Sequence, residues 1–476
     1  MKGDGTQSEA ATVESLSTGT LEEFDAALSG DLVLPTHDSY EEARRVWNGR
    51  VDYRPAMIAQ CRDSNDVATA IRFARSHDLD VSVRSGGHHP SGSAVAPETV
   101  VVDCSEMTAV TVDTEARTVT AEPGITAAGL LEATQEHGLG VPTGSAGDVG
   151  LGGSTLGGGI GWIRRSKGLG IDFLREVEMV TADGEVRTVS QDEHSDLFWA
   201  MCGAGGQFGV ATRFEFDCVE VGPIVPMVAV FYPGADAEAV YRAYDAAMAD
   251  APDEISTMAA YGHIPPMPML PEQLHGEAAV QVMACYDGSV EEGMAALAPF
   301  RELGEPLAEI GEPMPYLALH QMGTEMFPGD RNYYWRSSFS EALDEALIAE
   351  VVELGRDGPS PSCGISVWAL GGAMNTVARD ATAFPWRDSG YMLTVEANWD
   401  DGLGDKDEHI EWALAIDDVF REHGATGAYI GFHGIEETDD RVEELCFGES
   451  CDRLREVKSE YDPAGLFGTA LLAEDS

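Results

Sequence analysis

The chain has 476 residues, with 29 Lys+Arg against 83 Asp+Glu and a formal net charge of −54. Hydrophobic residues make up 43% of it, so it is a folded chain of about two domains and not an acidic disordered one. The charge argues against nucleic acid and against an anionic membrane surface as partners, since both need clustered Lys and Arg. Only four lysines occur, Lys2, Lys167, Lys406 and Lys458. A surface this acidic repels itself in dilute buffer and is screened in concentrated salt, which predicts adaptation to a salt-rich cytoplasm. No run of 18 apolar residues predicts a transmembrane helix, and the N-terminus lacks an apolar signal segment. A cytoplasmic protein is expected. The eight cysteines are scattered without a CxxC pair, so they read as small buried hydrophobes.

Residues 1–30 read as an acidic tail with a first helix. Thr20-Leu-Glu-Glu23 has the form of a capping box, and Ser39-x-x-Glu42 marks a second helix start. Residues 31–220 read as a β-rich domain. Asp66 to Asp78 carries Val67, Ile71 and Ala74 on one helical face. Short β runs and a helix ending at Gly138 follow, then a hairpin turning at Asp183-Gly184. Residues 221–424 read as an α+β domain, an antiparallel sheet with helices on one face, including helices over 235–248 and 340–354. Residues 425–476 form a closing segment, with a strand at AYIGF and a charged helix.

Three glycine-rich segments carry the chemistry. Arg84-Ser85-Gly86-Gly87-His88-His89 follows a predicted strand, and successive backbone N–H groups in such a loop suit an anion such as a pyrophosphate. Arg84 adds a positive charge there. In the run Gly138–Gly161, 11 of 24 residues are glycine, a density no packed element needs; it predicts backbone wrapped around something extended and flat. The third is DLFWAMCGAGGQFGV at 196–210, a helix entering a glycine turn and then a strand. No GxGxxG occurs, so the dinucleotide fingerprint of a doubly wound fold is absent.

The order RSGGH, VGLGGSTLGGGIG, DLFWAMCGAGGQFGV resembles the flavin-binding domain of the berberine bridge enzyme family, in the vanillyl-alcohol-oxidase superfamily. Trp47-Asn48-Gly49, GDRNYYWRSSF, WALGGAMN, TAFPWR and DRLREVKSEYDPAGLF extend the resemblance over nearly the whole chain. It implies an α+β fold: a two-subdomain PCMH-type FAD-binding domain, then a substrate domain with an antiparallel sheet. It implies FAD, covalently held through His88 by a single tether, because the position of the family's second, cysteine tether is Ala146 here. Cofactor contacts are implied for Arg84, Ser85, Gly86, Gly87, His89, Ser145, Val149, Gly150, Gly153, Ser154, Gly158, Gly159 and Val210. The implied function is oxidation of a CH–OH or CH–NH substrate by hydride transfer to flavin N5, with O2 as acceptor and H2O2 as product. A small-molecule substrate and O2 are then the expected partners. A valine at position 149 goes, in the family, with access of O2 to reduced flavin.

The base implied by the resemblance is Tyr429, although the family's Tyr-x-Asn has become Tyr429-Ile430-Gly431. Tyr429 reads equally as a half-buried strand tyrosine, and His433 is an alternative base. Tyr333 and Tyr334 are further aromatic candidates for the pocket. Ala464 and Gly465 replace an asparagine expected after Asp-Pro, which leaves the contacts of that end open. Rival functions are a dehydrogenase of the same fold, an NADPH-using reductase on a related flavin fold, and a non-catalytic flavin-binding protein.

Overall fold

The computed structural model describes residues 16–434, 441–467 and 472; the far N-terminal tail and the segment 435–440 lie outside the described residues. Among the described residues three larger sheets organise the chain, beside two two-stranded pairs. The first has four strands in the order Asp31–Val33, Met57–Gln60, Val100–Asp103, Val81–Arg84, with its last three strands parallel. The second is antiparallel, in the order Val110–Asp113, Thr118–Ala121, Gly209–Asp217, Leu174–Thr181, Val186–Ser190. The third has seven antiparallel strands: Ala308–Ile310, Met227–Pro233, Ala278–Tyr286, Ile255–His263, Gly364–Ala369, Tyr391–Trp399, Asn332–Ser340. This is the α+β class expected from the sequence.

Local sequence explains the elements that place the site. Asp63 caps the helix Ser64–Ser76 by accepting from the N–H groups of Asn65 and Asp66. That helix buries Val67, Ile71 and Ala74 against the parallel strands, where Val81, Val100 and Val102 are fully buried. Each such aliphatic side chain contributes roughly 1.5–3 kcal/mol. The parallel strands end together, so the Arg84–His89 loop leaves the sheet at one edge.

The seven-stranded sheet has one face covered by helices and a second face, bare of helices, that packs on the core around the glycine loops. Helices Ala237–Ala249, Glu345–Gly355 and Lys406–Glu422 bury Tyr244, Val352 and Ile416 on Val395, Ala397 and Leu393. Strand alternation sends Trp335, Thr394, Glu396 and Trp368 to the opposite face, toward the glycine loops.

Several expectations are corrected. Ser17, not Thr20, caps the helix Thr18–Ala27, its hydroxyl accepting from Thr20 N–H at 3.1 Å. Ser39 starts a four-residue helix without a side-chain cap. The helix expected over 340–354 begins at Glu345, because Ser337 to Ser340 still pair with Tyr391 to Thr394. AYIGF is no strand: Ile430–Phe432 is a single 3-10 turn. Among the described residues no helix is long and apolar enough to cross a membrane. All eight cysteines are buried and none of them is in a disulfide.

Candidate active site

The glycine loops meet by close backbone approach. A Cβ on Gly150 would sit 2.4 Å from Gly86 N, and one on Gly86 would sit 2.6 Å from Gly150 N. Neither position tolerates a side chain. Gly87 adopts φ +66°, which turns the loop outward. The backbone N–H groups of Gly86, Gly87, His88 and His89 donate to no acceptor among the described residues. Unsatisfied amides in a row, lining a cavity, are an anion site. Arg84 also lines the cavity; one arm of its guanidinium donates to Ala43 O at 2.5 Å and lies 3.9 Å from Asp103, while its buried Nε has no acceptor among the described residues. We expect Gly150→Ala to cost about 1–3 kcal/mol of stability and most of the bound ligand. Melting curves and the ligand-to-protein absorbance ratio check this; an unchanged ratio would refute the cradle.

One continuous cavity of about 540 Å3 runs from this loop to the bare face of the seven-stranded sheet. Ser85, Gly86, Gly87, His88, His89, Ser145, Val149, Gly150, Gly153 and Ser154 all line it. Three sequence assignments move. Val210 faces the core beneath the four-stranded sheet, while Gly209 and Ala211 line the cavity, a one-residue error of strand parity. Gly158 and Gly159, at φ +134° and +75°, lie behind the wall, where they turn the chain toward Gly170 and Ile171.

His88 and His89 differ sharply. The His88 ring stacks on Trp47, with centroids 4.5 Å apart, and Trp47 stacks on Tyr333 at 3.8 Å. Its Nε2 lies 3.1 Å from Asp148 Oδ2. His89 is structural: its Nε2 donates to Ile430 O at 2.7 Å, and its Nδ1 accepts from Ser91 N–H. Asn48 locks the same region to the far sheet through Pro90 O and the Tyr333 backbone, which explains Trp47-Asn48-Gly49. Tyr333 is thus a buried spacer, and Tyr334 packs on the helical side of its sheet.

The opposite wall is aromatic, with Phe327, Trp335, Trp368, Tyr429 and Phe432. Trp368 Nε1 is buried and has no acceptor among the described residues. Among them stands one carboxyl, Glu396, 7% exposed, accepting from Thr394 Oγ1 at 2.8 Å. Burial pushes its pKa up, outweighing the hydroxyls of Thr394 and Ser366. Sequence reasoning missed Glu396. The available signal was a lone charge within LTVEANW, a strand buried throughout.

Tyr429 lines the same cavity, its phenol pushed up to about 12 by burial, opposed only by the backbone of Gly159 and Ile160. His433 is held at about 3 by burial and by neighbouring His89, so it stays neutral and weakly basic. The C-terminal segment closes the cavity without the asparagine. Asp462 pairs with buried Lys458 at 2.7 Å and accepts from the N–H groups of Leu466 and Phe467, placing Phe467 on the wall.

Residues 55–190 match the family model described as an FAD binding domain, and residues 428–471 match the one described as berberine and berberine like. These two matches bear out the resemblance to the berberine bridge enzyme-like, PCMH-type flavoproteins. It is 28% identical to (R)-6-hydroxynicotine oxidase of Paenarthrobacter nicotinovorans, over 93% of this chain and 96% of that protein. An FAD-linked oxidoreductase of Bacillus subtilis is also 28% identical, over 92% and 96%. The solved structure of 6-hydroxy-D-nicotine oxidase from Arthrobacter nicotinovorans superposes with TM-score 0.82 at 24% identity, covering 96% of this chain and 99% of that one. Glucooligosaccharide oxidase from Acremonium strictum, studied for its 6-S-cysteinyl, 8α-N1-histidyl FAD, gives 0.82 at 22%, covering 95% and 98%. The chain is an FAD-dependent oxidoreductase. The free amides and the glycine cradle fit that cofactor.

Proposed function

We propose that this flavoprotein is an oxidase acting on a small molecule at a carbon bearing OH or NH, with FAD bound to His88 and O2 as acceptor. The observation that carries the reading is the single cavity joining His88 and the free loop amides to a wall holding one buried carboxyl. When bound, FAD supplies the two-electron acceptor for the substrate's hydride and passes the electrons to O2. The chain supplies the rest. The aromatic wall excludes water and seats an apolar substrate body. Glu396, its pKa raised by burial, is placed to take the heteroatom proton. Tyr429 is the second candidate base and needs a cation beside it; burial and two backbone groups are what act on it.

His88 as the tether is supported by its place in the cavity and by the histidyl FAD of glucooligosaccharide oxidase. Ala146 supports a single bond. In the wild type, flavin should stay with the acid-precipitated chain, and the peptide containing His88 should carry the FAD-derived mass. His88→Ala should bind FAD and release it on denaturation. Complete extraction of flavin from the wild type by acid would overturn the tether.

The choice of O2 rests on Val149, whose side chain lines the cavity beside Gly150. One added methylene there narrows the approach of O2 at a cost of about 1–3 kcal/mol. Val149→Ile should therefore slow reoxidation of the reduced protein by about tenfold or more, measured by rapid mixing with oxygenated buffer. Slow reoxidation in wild type and mutant alike, with fast transfer to a quinone, would make the protein a dehydrogenase.

A further inference from the structure

The surroundings of His88 assign a role to two residues outside the implied cofactor contacts, Asp148 and Thr324. Asp148 follows Gly147 in the second glycine run, and Thr324 lies on the helix Tyr316–Met326 that packs over that run. Thr324 Oγ1 accepts from the N–H groups of Gly147 at 3.1 Å and Asp148 at 3.2 Å. The same hydroxyl donates to Asp148 Oδ1 at 2.9 Å. The carboxylate is thus gripped at its backbone and at one oxygen. The other oxygen, Oδ2, is aimed at His88 and reaches Nε2 at 3.1 Å, obliquely to the ring N–H. Burial opposes ionisation of Asp148, but His88 and Thr324 outweigh it and hold the carboxyl below its usual range. On its flat side the His88 ring is fixed by Trp47. His88 Nδ1 has no partner among the described residues, and the ring lines the cavity.

We propose that Asp148, set by Thr324, is the positioning residue for covalent attachment of the flavin: its charge on the Nε2 side makes His88 Nδ1 the nucleophile and holds the imidazolium that attachment creates. This rests on the tether reading above. Attachment forms a bond from Nδ1 to the flavin 8α carbon and breaks one C–H bond of that methyl group. The methyl proton and the electron pair of that C–H bond remain on the ring system, which is reduced by two electrons. Dioxygen then removes the two electrons, taking up one further proton from water to leave as H2O2. The imidazole keeps its Nε2 proton throughout and ends positively charged against Asp148. A fixed carboxylate beside a developing cation stabilises it without reorganising.

The test follows attachment rather than turnover. The full-length chain is synthesised in a cell-free system with FAD present and sampled over time under air. Total bound FAD is read after gel filtration, and covalent FAD from the acid-precipitated pellet and the mass of the His88 peptide. Wild type should convert bound FAD to covalent FAD. Asp148→Asn, nearly identical in shape, should bind FAD and convert it at least tenfold more slowly, and Asp148→Glu should recover part of the rate. A purely structural role for Asp148 would not separate Asn from Glu in this way. Should Asp148→Asn fail to hold FAD, Thr324→Val replaces it and must also slow conversion with FAD bound. Conversion at the wild-type rate in the variant that holds FAD overturns the proposal while the tether stands. Absence of any adduct in the wild type overturns both.

Discussion

Glu396→Gln should slow reduction of the flavin by substrate by roughly 10²–10⁴-fold, the range expected for loss of a general base, with FAD content unchanged. The amide keeps the size of the side chain and can still accept from Thr394, so the sheet should be undisturbed. What it loses is the ability to take a proton in the middle of an aromatic wall. The sign of the pH effect follows from burial, which raises the Glu396 pKa. In the wild type the anaerobic reduction rate should rise with pH as the carboxyl ionises, and that limb should vanish in Glu396→Gln. Tyr429→Phe is the matched comparison, because both groups line the same cavity. We expect less than about a tenfold loss there, since a phenol near 12 without a cation is a poor base. The reverse pattern, a large loss at Tyr429 and a small one at Glu396, would return the proton to the tyrosine.

The second large effect concerns stability. Raising KCl from about 0.1 M to about 1 M shortens the Debye length from about 10 Å to about 3 Å. With 83 acidic residues against 29 Lys+Arg, like-charge repulsion between carboxylates dominates the electrostatics. Salt also weakens the exposed pairs, such as Arg54–Glu41 and Arg62–Asp31, but such pairs are worth at most about 1 kcal/mol each. Relief of repulsion should therefore win, and the melting temperature should rise by on the order of 10 °C. A melting temperature independent of KCl, or falling with it, would remove the case for a salt-adapted protein.

What the sequence disclosed follows from physical cause. The glycine loops were legible because close backbone approach leaves a compositional mark: Gly86 and Gly150 face each other with no room for a Cβ. The covering helices were legible through their periodicity, and the sheet's bare face was not. Strand parity decides whether Val210 or its neighbours meet the cavity, and a glycine-interrupted start hides the register. Glu396 and Asp148 were lost among 83 acidic residues, where one carboxyl carries no statistical weight. Their roles come from long-range partners: Trp335 opposite Glu396, and Thr324 and His88 around Asp148. AYIGF has strand composition, but Ser337 holds Tyr429 by its backbone N–H at 2.9 Å and His89 holds Ile430 O, so tertiary bonds bend the segment into a turn. The bonds of Asn48 to Pro90 and to Tyr333, the latter 285 residues away, have no local signature.

On the proposed reading the cavity holds a flavin which a substrate reduces and O2 reoxidises. The most direct test is anaerobic mixing of the purified yellow protein with a panel of small alcohols and amines, apolar and sugar-like, followed by admission of air. At least one compound should bleach the flavin absorption, and air should restore it with one H2O2 per flavin. A protein whose flavin is bleached by dithionite, and by no compound of a broad panel, would contradict that reading and leave a flavin-binding protein without this chemistry.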